Sequence, residues 1–162
     1  REIYDPEYIP TIQEFFEKKI VIDDVEYKTK IIDTAGQDEM QGITDLYIKD
    51  AQACIIVYSV TSKASFDDVD KFRDKFRSFS HDTNSKIVLV GTKCESQERS
   101  VSQEQGKNKA HDWGDVPFFE SSAKKGINVQ EPFVAALKLI LGNKHNEKSK
   151  NKSRNGANCL IS

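Results

Sequence analysis

No apolar run in these 162 residues approaches the roughly 18 that a membrane-spanning helix requires, and no signal-peptide pattern opens the chain. Cysteine is scarce. Cys54, Cys94 and Cys159 cannot all pair, and no two of them stand at a metal-ligand spacing, which argues against a disulfide framework and against a cysteine zinc site. A reducing cytosol is the simplest setting for such a chain. Positive charge is concentrated in one segment: residues 143–158 hold Lys144, Lys148, Lys150, Lys152 and Arg154 against one acid, Glu147, which leaves the remainder more acidic than the whole-chain net charge of −2. An acidic body argues against nucleic acid as a partner. The loop Gly-x-x-x-x-Gly-Lys-Ser/Thr, whose backbone amides and lysine cradle phosphates, occurs nowhere in residues 1–162, and the first residue is Arg1 rather than methionine.

What is there suggests one domain large enough to bury a core. Residues 15–22 and 25–33 read as two strands joined across Asp23-Asp24, a hairpin. Ala53 to Val60 and Ile87 to Val90 are nearly continuous apolar runs, the kind buried on both faces of a parallel sheet, and Val116 to Phe119 is a shorter one. Helical patterns lie between them. Phe66, Val69, Phe72, Phe76 and Phe79 recur at steps of three and four and make one apolar face, whose role is core packing. Residues 102–113 form a weaker helix. The last helix is punctuated by Asn128 as cap, Glu131 as its capping-box partner, Pro132 in the first turn and Gly142 as stop. Strands alternating with helices predict an α/β fold with a doubly wound, mostly parallel sheet and an antiparallel edge hairpin. Beyond Gly142 the composition turns to Asn, Lys and Ser, so residues 143–162 are expected to be a disordered tail.

Ile31 to Gln37, Ile-Ile-Asp-Thr-Ala-Gly-Gln, is an apolar strand that ends in an acid and a glycine-hinged polar loop. Asp33 stands where a strand's carboxyl end meets a loop, the usual place for a residue that holds a metal beside a bound phosphate. Gly36 leaves its backbone N–H open to a phosphate oxygen, and Gln37 offers both a donor and an acceptor to a water. Three more loop segments fall at strand ends. Pro10-Thr11-Ile12 precedes the first strand, Thr92-Lys93-Cys94-Glu95 follows Val90-Gly91, and Ser121-Ser122-Ala123-Lys124 follows Phe119.

In this order and spacing the four segments resemble the nucleotide-contacting loops of the Ras superfamily of small GTPases, Ras branch, over nearly all of residues 1–142. The resemblance implies a membrane-anchored GTP/GDP switch in signal transduction that hydrolyses GTP slowly with magnesium. Thr11 then matches the switch I threonine that contacts magnesium and the γ-phosphate, and Asp33 the acid that holds magnesium through water. Gly36 matches the glycine that senses the γ-phosphate, and Gln37 the catalytic residue that positions attacking water. Tyr4 lies where the family sets an aromatic against the guanine ring; Thr92, Lys93 and Glu95 match the base-reading loop, and Ser122, Ala123 and Lys124 the loop beside it. The switch physics is order and disorder, two loops held by one phosphate that relax when it leaves. Implied partners are guanine nucleotide, effectors at switch I and the adjacent edge strand, exchange factors and GTPase-activating proteins.

Two departures stand out. Most members read guanine with Asn-Lys-x-Asp, whereas here Thr92-Lys93-Cys94-Glu95 carries a carboxylate one methylene longer, which must fold back to keep both hydrogen bonds to the base; weaker guanine affinity than in a Glu95→Asp variant is expected. Around Thr11, the positions at which Ras carries acids are Ile9, Gln13 and Glu14, so only one acid of the three remains. Effectors that present a basic strand to this edge are expected to bind less strongly.

Cys159-Leu160-Ile161-Ser162 has the cysteine, aliphatic, aliphatic, serine order of a prenylation box that favours farnesyl. One lipid chain anchors marginally, and each upstream Lys or Arg near an anionic leaflet adds about 1 kcal/mol, so together they predict attachment to the cytoplasmic face of the plasma membrane. In the family the phosphate-cradling loop lies upstream of switch I, between a first strand and a first helix, a piece of about 25 residues. The chain is therefore expected to be an N-terminally incomplete record whose residues 1–162 alone bind GTP weakly. Loss of that first, central strand is expected to leave two neighbouring strands unpaired along apolar edges. The alternative reading is a truncated Ras-like interaction protein, or a pseudogene product, that binds no nucleotide.

Overall fold

A computed structural model describes residues 13–34, 47–79, 86–147 and 157–161. Strand β1 (Gln13–Ile22) and strand β2 (Val25–Thr34) form the expected antiparallel hairpin, with Gln13 opposite Thr34 and Ile22 opposite Val25. Its two-residue turn places Asp23 and Asp24 at φ 49° and 61°. Both residues in the left-handed region make the mirror-image turn that matches the twist of the flanking strands, and Asp tolerates that conformation better than larger side chains.

Strands β3 (Ala53–Ser59), β4 (Ile87–Thr92) and β5 (Phe118–Glu120) follow as a parallel set, with Cys54 opposite Ile87 and Leu89 opposite Phe118. Between them run helix α1 (Lys63–Asp67), helix α2 (Val69–Phe79) and helix α3 (Gln103–Asp112); helix α4 (Glu131–Glu147) comes after β5. The period-two alternation of β3 divides the core. Cys54, Ile56 and Tyr58 pack with Phe66, Val69, Phe76, Ala110 and Trp113 on one face. Ala53 and Ile55 pack with Ala136, Leu137 and Ile140, and with Ile20 and Ile22 of the hairpin, on the other. Each such aliphatic or aromatic side chain contributes about 1.5–3 kcal/mol when fully buried, so both faces of the sheet must be covered. The fold is the doubly wound α/β arrangement expected.

Local boundaries differ in instructive ways. The phenylalanine stripe spans two helices, because Asp68 caps α1 through its N–H to Ala64 O at 3.1 Å and α2 restarts at Val69. Helix α3 opens on a capping box that the sequence reading missed: Ser102 Oγ accepts from Gln105 N at 3.1 Å, and Gln105 Oε1 accepts from Ser102 N at 2.8 Å. Asn128 is not the cap of α4. It sits at φ 47° and its side-chain amide donates to Glu120 O at 2.8 Å, tying the loop to β5, while the Glu131 carboxylate accepts from Gln130 N at 3.1 Å. Pro132 does stand in the first turn, where its missing N–H costs nothing. Gly142 does not stop the helix, which continues to Glu147; one glycine costs a helix interior only about 1 kcal/mol.

The largest difference lies at the C-terminal segment. Ala157–Ile161 is a strand, β6, inserted between β2 and β3 and parallel to both, so the sheet order is β1-β2-β6-β3-β4-β5. Residues 157–161 are thus ordered where a disordered tail was expected, and among the described residues β2 and β3 are paired at the edges expected to be bare. The reason is backbone accounting: facing N–H and C=O groups of two buried strands require partners, and Ala-Asn-Cys-Leu-Ile is the one apolar stretch in an otherwise basic and polar tail.

Tyr58 depends on two glycines. A Cβ on Gly91 would lie 2.9 Å from the Tyr58 ring, and one on Gly106 would lie 2.5 Å from the Tyr58 hydroxyl and from Phe118. The ring thus occupies the space that any other residue at either position would fill, and the buried hydroxyl makes no hydrogen bond among the described residues. Burial, followed by the nearby Glu120 carboxylate, pushes its pKa up to about 12.

Candidate functional site

Parallel β4 and β5 deliver two loops to the same carboxyl edge of the sheet, where ligands gather in open α/β folds. At the end of β4 the Thr92 hydroxyl donates to Tyr58 O at 3.0 Å, and Thr92 O accepts from Val60 N at 3.0 Å. The chain then turns through Lys93 at φ 61°, an uncommon conformation for lysine, closed by Ser96 N to Lys93 O at 2.9 Å. After β5, Ser122 and Ile127 exchange two backbone bonds of 2.9 Å each, with Gly126 at φ 67° making the turn between them. Lys125 N donates to Ser122 Oγ at 3.0 Å. The loops hold one another through Cys94 N to Ser121 O at 3.1 Å and Ser121 N to Gly91 O at 2.8 Å.

Glu95 lies in this junction with its carboxyl held below the usual carboxylate range, first by a hydrogen bond from the Ser122 side chain and then by the backbone, with Lys124 and Lys125 adding weaker attraction. Its Oε2 is buried and accepts no hydrogen bond among the described residues. A carboxylate with a lowered pKa therefore sits at the junction of the two loops, one of its oxygens buried and without a donor among the described residues. Burial, then the charges of Glu120 and Glu95, push the Cys94 thiol up, so it stays protonated and unreactive.

A pair that the sequence reading missed fixes the loop. Arg99 grips Glu120 of β5 with two parallel bonds, Nη1 to Oε1 at 2.6 Å and Nη2 to Oε2 at 3.0 Å, and also donates to Val101 O at 3.1 Å and Cys94 O at 3.5 Å. The fork fastens residues 94–101 to the sheet. Arg99 and Glu120 are far apart in sequence and in no motif, so no local signal joins them.

Of the residues expected to form the site, Thr92, Lys93, Glu95, Ser122, Ala123 and Lys124 are brought together, with Ser122 fully buried and Ala123 and Lys124 exposed. Asp33 is half-buried near the end of β2, opposite Glu14 on one side and Ile161 on the other. Tyr4, Thr11, Gly36 and Gln37 lie outside the described residues. Cys159 is the middle residue of β6.

The Ras family model matches residues 1–142. This chain belongs to the Ras family. A small-GTPase type of switch follows from that membership, and members of the family generally bind GTP or GDP with magnesium and hydrolyse GTP. The base side of this Ras-family site fits guanine: the Watson–Crick edge of guanine offers adjacent N–H donors, and Glu95 supplies an ionised acceptor whose Oε2 lacks a donor among the described residues. On the metal side only Asp33 is described, and no group of three His, Cys, Asp or Glu side chains able to hold a metal ion occurs among the described residues.

Proposed function

We propose that this chain is a lipid-anchored GTP/GDP switch of signal transduction that reads guanine through Glu95 and hydrolyses GTP slowly. The observation that carries the reading is the junction of the two loops, where the Cys94–Ser121 bond and the Arg99–Glu120 fork hold the Glu95 carboxylate, one oxygen of which has no donor among the described residues. Glu95 accepts from the base edge, Ser122 holds that carboxyl below its usual range, and the Lys93 stem packs on the ring. Tyr4 covers the other side of the base. Thr11 and Asp33 hold magnesium beside the phosphates, Gly36 senses the γ-phosphate, and Gln37 orients the attacking water. Magnesium, when bound, neutralises charge on the phosphate oxygens. The basic residues 144–154 and a farnesyl group on Cys159 place the switch on the cytoplasmic face of the plasma membrane. Effectors meet the edge strand β1, whose exposed Phe15 and Phe16 and missing acids favour an apolar rather than a strongly basic strand.

A second reading is an interaction protein that binds no nucleotide, favoured by the edge strand β1, which exposes Phe15 and Phe16 to a partner. Calorimetric titration with GDP and ADP, in magnesium, of the chain extended upstream of Arg1 by a phosphate-cradling loop of the family separates the two. The switch reading expects saturable binding of GDP, little of ADP, and tighter GDP binding by about three- to tenfold in Glu95→Asp, because the shorter acid reaches both base donors without folding back. Equal affinity for GDP and ADP would sink the role of Glu95, and no saturable binding of either would favour the second reading.

A further inference from the structure

Four of the five large apolar side chains that stand exposed among the described residues belong to one hairpin: Phe15 and Phe16 at 48%, Val21 at 62% and Val25 at 41%, the fifth being Ile127. They flank an open edge. β1 is the outermost strand of the sheet among the described residues, ten residues long, and its register with β2 runs from Gln13 to Ile22 without a bulge. Proteins shorten, bulge or charge such an edge to keep it from pairing with another chain. Here only charge is used, at Lys18 and Lys19, and the acid Glu17 stands beside them.

The two-residue turn of the hairpin fixes which backbone groups are open. Ile22 and Val25 close it as a hydrogen-bonded pair, so even-numbered residues of β1 turn their N–H and C=O toward β2, while Phe15, Glu17, Lys19 and Val21 turn theirs outward. A strand added here must pair with those four. For a second copy lying antiparallel across a two-fold axis, one register brings opposite charges together: with the axis at Lys18, Glu17 faces the second copy's Lys19, and Phe15 faces its Val21. A slide of two residues either way sets Glu17 opposite Glu17 or Lys19 opposite Lys19.

The face on which these side chains meet is already arranged for the contact. Lys19 stands opposite Lys28 and pairs with Glu26 at 2.9 Å, so in the pair it lies between its own Glu26 and the second copy's Glu17. Phe15 is held in place without being covered. The Tyr47 ring meets it edge-on with centroids 5.3 Å apart, and Lys30 Nζ lies 4.6 Å from its centroid. On the other face Phe16 comes beside the second copy's Ile20, and the cost of the register is Lys18 opposite Lys18, which keeps the association weak and reversible.

We propose that two copies of this chain associate through β1, antiparallel about Lys18, into one continuous sheet whose register is set by Glu17 and Lys19. The proposal does not rest on the nucleotide reading. An edge holds one strand at a time, so wherever an effector uses β1, self-pairing and effector binding exclude each other.

The test is a charge swap read by sedimentation velocity, on the chain extended as for the titration above, at about 10 µM to 1 mM. Wild type is expected to self-associate. Glu17→Lys and Lys19→Glu each set two like-charged pairs across the axis and are expected to weaken association by about tenfold or more, whereas a mixture of the two variants, and the double variant, recover it. Amide exchange of the wild type reads the register without any variant. Rising concentration is expected to slow exchange at Phe15, Glu17, Lys19 and Val21 and to leave Lys18 and Ile20, already bonded to β2, unchanged. A wild type that stays monomeric throughout, which leaves the edge to a strand of another protein, overturns the proposal. So does association that ignores both charge reversals, a mixture that fails to recover it, or slowed exchange confined to other segments.

Discussion

Asp70 is the residue through which α2 is locked onto α3, and replacing it gives a sharp test of how this core is held. Its Oδ1 accepts from Trp113 Nε1 at 2.9 Å, its Oδ2 from Lys109 Nζ at 2.7 Å, and Arg73 Nη1 lies 3.1 Å away. Asp70→Ala leaves the indole N–H of a buried tryptophan without its acceptor, a cost of about 1–3 kcal/mol. The Lys109 and Arg73 pairs are partly exposed and screened, so each adds only about 0.2–1 kcal/mol. The sum spans about 1.5–5 kcal/mol, which at the 2–4 °C per kcal/mol typical of a domain this size lowers Tm by about 3–20 °C. Trp113 is the single tryptophan, so its fluorescence reports urea unfolding at the site itself. The effect is pH-dependent with a defined sign. Burial pushes the Asp70 carboxyl up, but hydrogen bonds from Lys109 and Trp113 outweigh it and leave the group below its ordinary value of 3.8. A depressed folded pKa stabilises above the unfolded value and is lost as pH falls through the folded one, so the gap between wild type and Asp70→Ala is full above about pH 4 and narrows below it. A loss under about 0.5 kcal/mol, or an equal loss in a Trp113→Phe background where no N–H can be orphaned, would refute the argument.

Gly106→Ala forces a methyl against the Tyr58 hydroxyl and Phe118, each at 2.5 Å, and is expected to cost about 1–3 kcal/mol in urea unfolding; adding Tyr58→Phe should return part of that loss, since one of the two clashing atoms is gone. Arg99→Ala removes the fork that fastens residues 94–101 to Glu120, and should raise amide exchange across that loop while speeding GDP dissociation by about three- to tenfold with little change in association. Unchanged exchange in residues 94–101 would show that the backbone bonds alone hold the loop.

How far the fold could be read from the sequence depended on whether the signal was local. The Asp23-Asp24 hairpin, the apolar runs of β3 and β4 and the phenylalanine stripe announce themselves within ten or so residues, because strand and helix periods expose a buried face directly. Asn128 was misread as a cap because its side chain answers a carbonyl on β5 rather than the adjacent helix, and Gly142 as a stop because tertiary packing of α4 outweighs a small propensity cost. The base-side loops were legible as motifs, yet the Arg99–Glu120 fork that positions them was not, since a pair formed by two folded segments leaves no spacing to recognise. Glu95 stood out as one methylene too long; that Ser122 lowers its pKa, and that one of its oxygens has no donor among the described residues, needed the fold.

The tail shows why residue type alone cannot assign one role to a segment. Residues 148–154 carry the charge that attracts an anionic surface, and residues 157–161 carry the apolar side chains that make a strand. Leu160 and Ile161 satisfy two descriptions at once, the aliphatic pair of a prenylation box and strong strand formers. A sequence under a single demand shows local and global preferences that agree, whereas the basic half of this segment favours solvent and its apolar half favours the sheet. Among the described residues, β6 is the strand that joins the hairpin carrying Asp33 to β3.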